Sequence, residues 1–278
     1  MKIYLFATAF SSIPKGLFVK GERWKRVRFP ILNAMIEDNG ELILIDSGMG
    51  TRIEEEMKIS KYKSQAWFNK NVMKTVFDAS KDPLVHQLPA NGFDVSSVKY
   101  AIFTHLHWDH AGGIRDFPNA KFIINKNEWK AATAEDSYKH AYIREQYDHL
   151  DKKNMELVST VPGKSYLGFS NSLDLFGDGR FILVDLPGHS DGLTGIFVNL
   201  PSGKRFLFPG DSIYFPENLE KLAPKSTIMS KLVHEKPQAM ETLKVLHDLA
   251  KSEPDLEIVS FHDHRIPGKY KLAPSYYD

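Results

Sequence analysis

Thr104-His105-Leu106-His107-Trp108-Asp109-His110 places four metal-capable side chains within six residues. The stretch leaves Lys99–Phe103, a short apolar run that reads as a buried strand. In extended backbone, residues i and i+2 point the same way, so His105 and His107 are placed to converge on one ion. Asp109 and His110 lie at the bend beyond, where they address a second. Ala111-Gly112-Gly113 follows, and glycine there lets the backbone turn closely around a filled site. One histidine at a strand end is ordinarily structural; three with an aspartate at this spacing are hard to explain that way.

Three further segments have the same form. Leu186-Pro187-Gly188-His189-Ser190 follows the run FILVD, 181–185. Pro209-Gly210-Asp211-Ser212 follows RFLF, and Phe261-His262-Asp263-His264 follows EIVS. Each alone is usually a turn; together they give a rigid ligand set at the ends of several strands. The count supports two ions. His105, His107, His189 and Asp211 serve one, and Asp109, His110, His262 and Asp211 the other, with the Asp211 carboxylate bridging. His264 is the rival to His262, which follows its strand directly. Imidazole and carboxylate without sulfur suit zinc, and also manganese, iron or cobalt. Two such ions about 3.5–4 Å apart activate a bridging water and clamp both attacking and leaving oxygens.

Composition narrows the alternatives. In 278 residues, Lys+Arg numbers 36 and Asp+Glu 35, so there is no basic surplus for nucleic acid or a membrane surface. The absence of cysteine excludes disulfides, thiolate metal sites and a Cys nucleophile. No stretch approaches the ~18 apolar residues of a spanning helix. MKIYLFATAF lacks the form of a signal peptide and reads as a first strand, so a cytoplasmic location is expected. No Gly-x-Ser-x-Gly elbow or phosphate-binding Gly-x4-Gly-Lys-Ser/Thr motif supports a serine hydrolase or a nucleotide site.

Strands are expected at 2–8, 31–36, 42–45, 99–103, 121–124, 181–185, 194–199, 205–209 and 257–261, with a hairpin at Asn39-Gly40. Helices are expected at 51–58, 64–79, 83–91 (opened by Asp82-Pro83), 126–132, 137–151 and 235–252. The architecture expected is two sheets face to face with helices outside, in one domain spanning 1–278. The basic run Lys20, Arg23, Lys25, Arg26, Arg28 reads as a solvated edge strand. His86, His140, His149, His234 and His247 read as ordinary surface or core residues.

These motifs, in this order, resemble the metallo-β-lactamase superfamily, from Leu44-Ile45-Asp46-Ser47-Gly48 to His262. The resemblance implies an αββα sandwich of two mixed sheets, with Asp46 supporting the metal site from behind the ligands. Departures exclude sub-families. Zinc β-lactamases place a cysteine where Asp211 stands. Flavo-diiron enzymes carry Glu at the position of His107. Glyoxalase II-like hydrolases usually add a helical domain, whereas here 16 residues follow His262. RNase Z-like nucleases use an added arm and a basic surface.

Within the superfamily the chain resembles N-acyl-homoserine lactonases. The features are THLHWDHAGG, Asp211-Ser212-Ile213-Tyr214 with a tyrosine three residues after the bridging aspartate, and the following Pro216-Glu217-Asn218 and His262-Asp263. The resemblance implies a small-molecule acyl lactone substrate, no nucleic-acid or membrane partner, and a monomer or homodimer. A metal-bridging hydroxide would attack the carbonyl, Tyr214 would steady the oxyanion, and Asp109 would pass a proton to the leaving alkoxide. The acyl groove would draw on Phe10, Leu17, Phe18, Trp24, Trp67, Phe68 and the segment 137–151. The rival readings are a hydrolase of another lactone, an aryl ester or a phosphodiester, and a metal-binding module without turnover.

Overall fold

The computed structural model describes residues 1–232, 236–266 and 268–278. Strands β1 (Lys2–Pro14), β2 (Arg26–Asp38), β3 (Glu41–Ile45), β4 (Val98–Ile102), β5 (Lys121–Asn125) and β6 (Met155–Val158) build the first sheet. Strands β7 (Val161–Tyr166), β8 (Phe169–Asp174), β9 (Phe181–Asp185), β10 (Thr194–Asn199), β11 (Arg205–Phe208) and β12 (Leu256–Ile258) build the second. The short β13 (Tyr276–Tyr277) returns to the first. Strand orders among the described residues are β13-β1-β2-β3-β4-β5-β6 and β12-β11-β10-β9-β8-β7. The first sheet is antiparallel through β3 and parallel from β3 to β6. The second is antiparallel except where β12 joins β11. The β2–β3 hairpin turns through Asn39 (φ 49°) and Gly40 (φ 84°), the two left-handed residues that a tight hairpin needs.

Period-two alternation sets the layers. Ile3, Leu5, Ile36, Ile43, Ile45, Ile102 and Ile123 of the first sheet meet Phe181, Leu183, Ile196, Val198, Phe206 and Phe208 of the second. The other face of the first sheet packs Phe6, Met35, Leu44 and Phe122 against Leu84 and Leu88 of helix Leu84–Ala90 and Ala132 of helix Lys126–Ala132. On the far face of the second, Ile182, Val184, Phe197 and Leu207 receive Leu243, Leu246 and Leu249 of helix Gln238–Ser252. Each Val, Leu, Ile, Phe or Met side chain among these, fully buried, contributes about 1.5–3 kcal/mol. The result is the expected αββα sandwich of two mixed sheets. Among the described residues, no helix is long and apolar enough to cross a membrane.

Several local expectations need correction. Residues 137–151 are not a helix but two 3-10 turns, Ser137–His140 and Arg144–Gln146, joined by irregular backbone. The 64–79 helix is Lys63–Phe68 continued by a π turn, Asn69–Met73; left-handed Lys74 (φ 47°) ends it, and Val76 bridges to Phe10. The 51–58 helix shrinks to Ile53–Glu56. Pro83, not Asp82, caps the next helix, and Asp82 accepts instead from the Asp78 amide at 2.7 Å. The last helix is Gln238–Ser252; Glu235 and His234 lie outside the described residues. The strands at 155–174 were not anticipated. Only part of the basic run lies in a strand: Lys20, Arg23 and Lys25 are outside any strand, while Arg26 and Arg28 open β2 where it pairs with β1 alone, β3 joining it only at Ala34–Asp38.

Candidate metal centre

Loops following β3, β4, β9, β11 and β12 meet at one edge of the sandwich. They bring together Asp46, His105, His107, Asp109, His110, His189, Asp211 and His262, all buried. Asp46 adopts φ 57°, a left-handed conformation that Asp tolerates better than most residues. Its Oδ1 accepts from the Thr104 amide at 2.7 Å, and its Oδ2 from the Thr104 hydroxyl at 2.6 Å. The same Oδ2 holds His110 Nδ1 at 2.7 Å, and the Thr104 hydroxyl lies 3.0 Å from His105 Nδ1. These contacts orient both rings so that each Nε2 faces Asp211. The β3 and β4 loops approach so closely that a Cβ on Gly112 would stand 2.7 Å from the Gly48 carbonyl oxygen, which only glycine permits.

Besides the Asp46–His105–His110 group, the donor atoms form two groups. Nitrogens of His105, His107 and His189 lie within 4.8 Å of one another, as do donors of Asp109, His110 and His262. Asp211 faces both. Its Oδ2 lies 3.9 Å from His105 Nε2 and 3.5 Å from His189 Nε2. Its Oδ1 lies 3.2 Å from both His110 Nε2 and His262 Nε2. Asp109 Oδ2 is 3.7 Å from His262 Nε2. The arrangement brings together the two sets read from the sequence, three residues on each side with Asp211 between them. His264 is directed elsewhere: its Nε2 donates to both oxygens of Glu217 at 3.0 Å.

The halves differ electrostatically. Burial, reinforced by the neighbouring histidines, holds His105 and His189 well below the usual imidazole range. Burial likewise pushes His107 down to about 3. These rings are neutral at pH 7, as ligands must be. Burial also opposes charge on His110 and His262, but Asp211 and other carboxylates overcome it and raise both. Burial pushes Asp109 up. For Asp211 burial acts upward, yet His262 and His110 prevail and hold it well below the carboxylate range.

Divalent cations fit this donor set. His105 Nε2, His110 Nε2, His262 Nε2 and Asp211 Oδ1 are buried with no hydrogen-bond partner. Such atoms are costly unless something satisfies them. A sulfur-free cluster of imidazoles around a central carboxylate is the chemistry of zinc and neighbouring first-row ions.

Beside the cluster, Tyr214 stacks on His262 (ring centroids 5.3 Å apart) and on Phe18 (4.3 Å). It lines a cavity of about 330 Å³ that reaches His107, Asp109, His189 and Asp211. Of the expected groove residues, Phe18, Trp67 and Phe68 line this cavity, with Lys139, His140 and Ala141 from the 137–151 segment. Leu17 packs instead into the Phe18–Phe29–Phe215 core, Phe10 lies under the Arg28 guanidinium at 4.0 Å, and Trp24 is 61% exposed. His140, read as ordinary, is therefore a cavity residue.

Two residues at the centre escaped the sequence reading. Lys225 is buried, its Nζ 4.5 Å above the Tyr214 ring and 3.3 Å from the Asp211 carbonyl oxygen. Glu128 is buried against the loops that carry His107 and His189. No motif marks Lys225. Glu128 had a weak signal, a carboxylate in the first turn of a helix directly after a buried strand.

Comparison with known proteins agrees with this geometry. Residues 27–255 match the family model described as the metallo-beta-lactamase superfamily. The chain is 30% identical over 194 residues to the N-acyl homoserine lactonase AttM of Rhizobium radiobacter, covering 69% of this chain and 68% of that one. It superposes on an N-acyl homoserine lactone hydrolase solved with N-hexanoyl-L-homoserine at its catalytic metal centre, with TM-score 0.75 and 22% identity, over 99% of this chain and 98% of the other. It superposes also on AidC, a dizinc quorum-quenching lactonase, with TM-score 0.62 and 15% identity, over 99% and 92%. With its fold, its strand-end cluster and a family match over most of its length, this chain belongs to the metallo-beta-lactamase superfamily.

Proposed function

We propose that the protein is a dinuclear metal-dependent hydrolase that opens the lactone ring of N-acyl homoserine lactones. The observation that carries this reading is the central Asp211, one oxygen toward each histidine group, with the Tyr214 ring against one of those histidines. The lactonase named above, similar over two thirds of both chains, supports the substrate class. His105, His107, His189 and Asp211 would hold one ion, and Asp109, His110, His262 and Asp211 the other, zinc being the ion proposed. Two such ions supply Lewis acidity toward a carbonyl and make water acidic enough to act as a nucleophile near neutral pH.

The chain's own residues do the rest. The Tyr214 hydroxyl donates to the lactone carbonyl oxygen and holds it as negative charge develops. Asp109, on the cavity wall, takes up the proton released as water adds to the carbonyl and passes it to the ring oxygen as it leaves. Trp67, Phe68, Met73 and Met229 give the cavity an apolar side for the acyl chain. The test is proton release from N-hexanoyl homoserine lactone by zinc-loaded protein against a metal-stripped sample. Fast, metal-dependent opening supports the reading. No opening by a sample that holds two zinc ions per chain sinks the substrate and leaves the metal centre standing.

A further inference from the structure

We infer that Glu128 is a positioning residue that sets the His105–His107–His189 half of the metal centre. It rests on reading the cluster as a metal centre and not on the lactone chemistry. Glu128 lies in the first turn of helix Lys126–Ala132, 1% exposed. Its Oε1 accepts from the Leu106 amide and the Tyr142 hydroxyl, both at 2.9 Å. Its Oε2 accepts from the Ser190 hydroxyl at 2.6 Å and the Gly192 amide at 3.2 Å.

The placement of these donors is what matters. Leu106 stands between His105 and His107. Ser190 follows His189. Tyr142 meets His107 edge-on at 4.8 Å and bridges to its backbone. Among the described residues, every hydrogen bond of the carboxylate therefore goes to a neighbour of His105, His107 or His189, and none to the loops carrying Asp211 or His262. The loops so joined come from different sheets, one after β4 and one after β9. The second of these loops also packs tightly on the helix that carries Glu128, since a Cβ on Gly192 would stand 2.0 Å from the Glu128 amide nitrogen. A buried carboxylate is tolerated when its lone pairs are filled, and here four donors fill them. Partners that orient ligands from behind typically change metal affinity 10–100-fold when removed.

The experiment is a Co²⁺ titration of metal-stripped protein, following visible d–d absorption and ions bound per chain. Wild type is expected to take up two ions. In Glu128→Ala, one ion should weaken about tenfold or more while the other stays within about threefold. Its spectrum at saturation should resemble that of His189→Ala and differ from that of His262→Ala. Glu128→Gln, which keeps an acceptor for Leu106, should recover part of the loss. Loss of neither ion, or equal loss of both with the fold intact by circular dichroism, overturns the inference. If Glu128→Ala does not fold, Tyr142→Phe and Ser190→Ala each remove one of the four bonds, and each must weaken the same single ion; no change in both overturns it equally. A wild-type protein that binds fewer than two ions sinks the metal-centre reading itself, a different result.

Discussion

His262 and His264 are two residues apart, yet they belong to opposite kinds of histidine–carboxylate group. His264 donates to both oxygens of Glu217, and Lys15 Nζ adds a third contact to that carboxylate at 2.5 Å. The donors and the acceptor are matched, and the group closes on itself. His262 Nε2 lies 3.2 Å from Asp211 Oδ1, but neither atom has a hydrogen-bond partner of acceptable geometry. Three more histidines crowd the same carboxylate without satisfying it. Residue type and spacing do not distinguish the groups. What distinguishes them is whether the polar atoms are satisfied by protein; buried atoms that protein leaves unsatisfied are costly and suit a cation.

The largest effect should come from Asp211→Ala. Removing the carboxylate common to both halves is expected to strip both ions and lower lactone opening by roughly 10³-fold or more, read by metal analysis and initial rates. An Asp211→Ala protein that kept two ions would break the contrast at its centre. Next, His262→Ala should lose one ion, whereas His264→Ala should keep both; two ions in each variant would mean that the unsatisfied group was misread. Tyr214→Phe should retain both ions and lower kcat/KM by about 10²-fold, the usual cost of an oxyanion donor. Unchanged kcat/KM would remove Tyr214 from the mechanism. Asp46→Asn should weaken metal binding or activity 10–100-fold, because His110 Nδ1 loses its charged acceptor.

Legibility in the sequence followed the same division. The cluster was readable because its members sit directly after buried apolar strands, and strand ends leave little freedom of placement. The Asn39-Gly40 hairpin was readable from turn chemistry alone. The hairpin of β7 and β8 was not: β7 is exposed along most of its length, so no alternation of apolar residues announces it. The 137–151 segment misled in the other direction, since Tyr142, Ile143, Gln146 and Tyr147 are buried without any regular helix. Glu128 was invisible as an organiser because its partners Leu106, Tyr142, Ser190 and Gly192 come from three separate stretches of chain. Local pattern finds the clustered side chains; it does not find what they lean on.

The smallest effect concerns the satisfied group and tests it by pH. Burial of Glu217 acts to raise its carboxyl, but the bonds from His264 and Lys15 outweigh burial and bring it down to about 2, from 4.5. A carboxylate depressed by folding adds stability at pH values above its unfolded pKa. That contribution fades as pH falls below about 4.5 and is gone once pH passes below the folded value near 2. The side chain is 12% exposed, so its full worth is on the order of 2–3 kcal/mol near neutral pH. Glu217→Gln should therefore be less stable than wild type by roughly that amount in urea at pH 7, with the gap holding down to about pH 5 and narrowing between there and pH 3. Metal content should be the same in both proteins. A gap that stayed constant over this range would show that shape, not charge, is what Glu217 contributes, and the contrast between satisfied and unsatisfied carboxylates would lose its electrostatic basis.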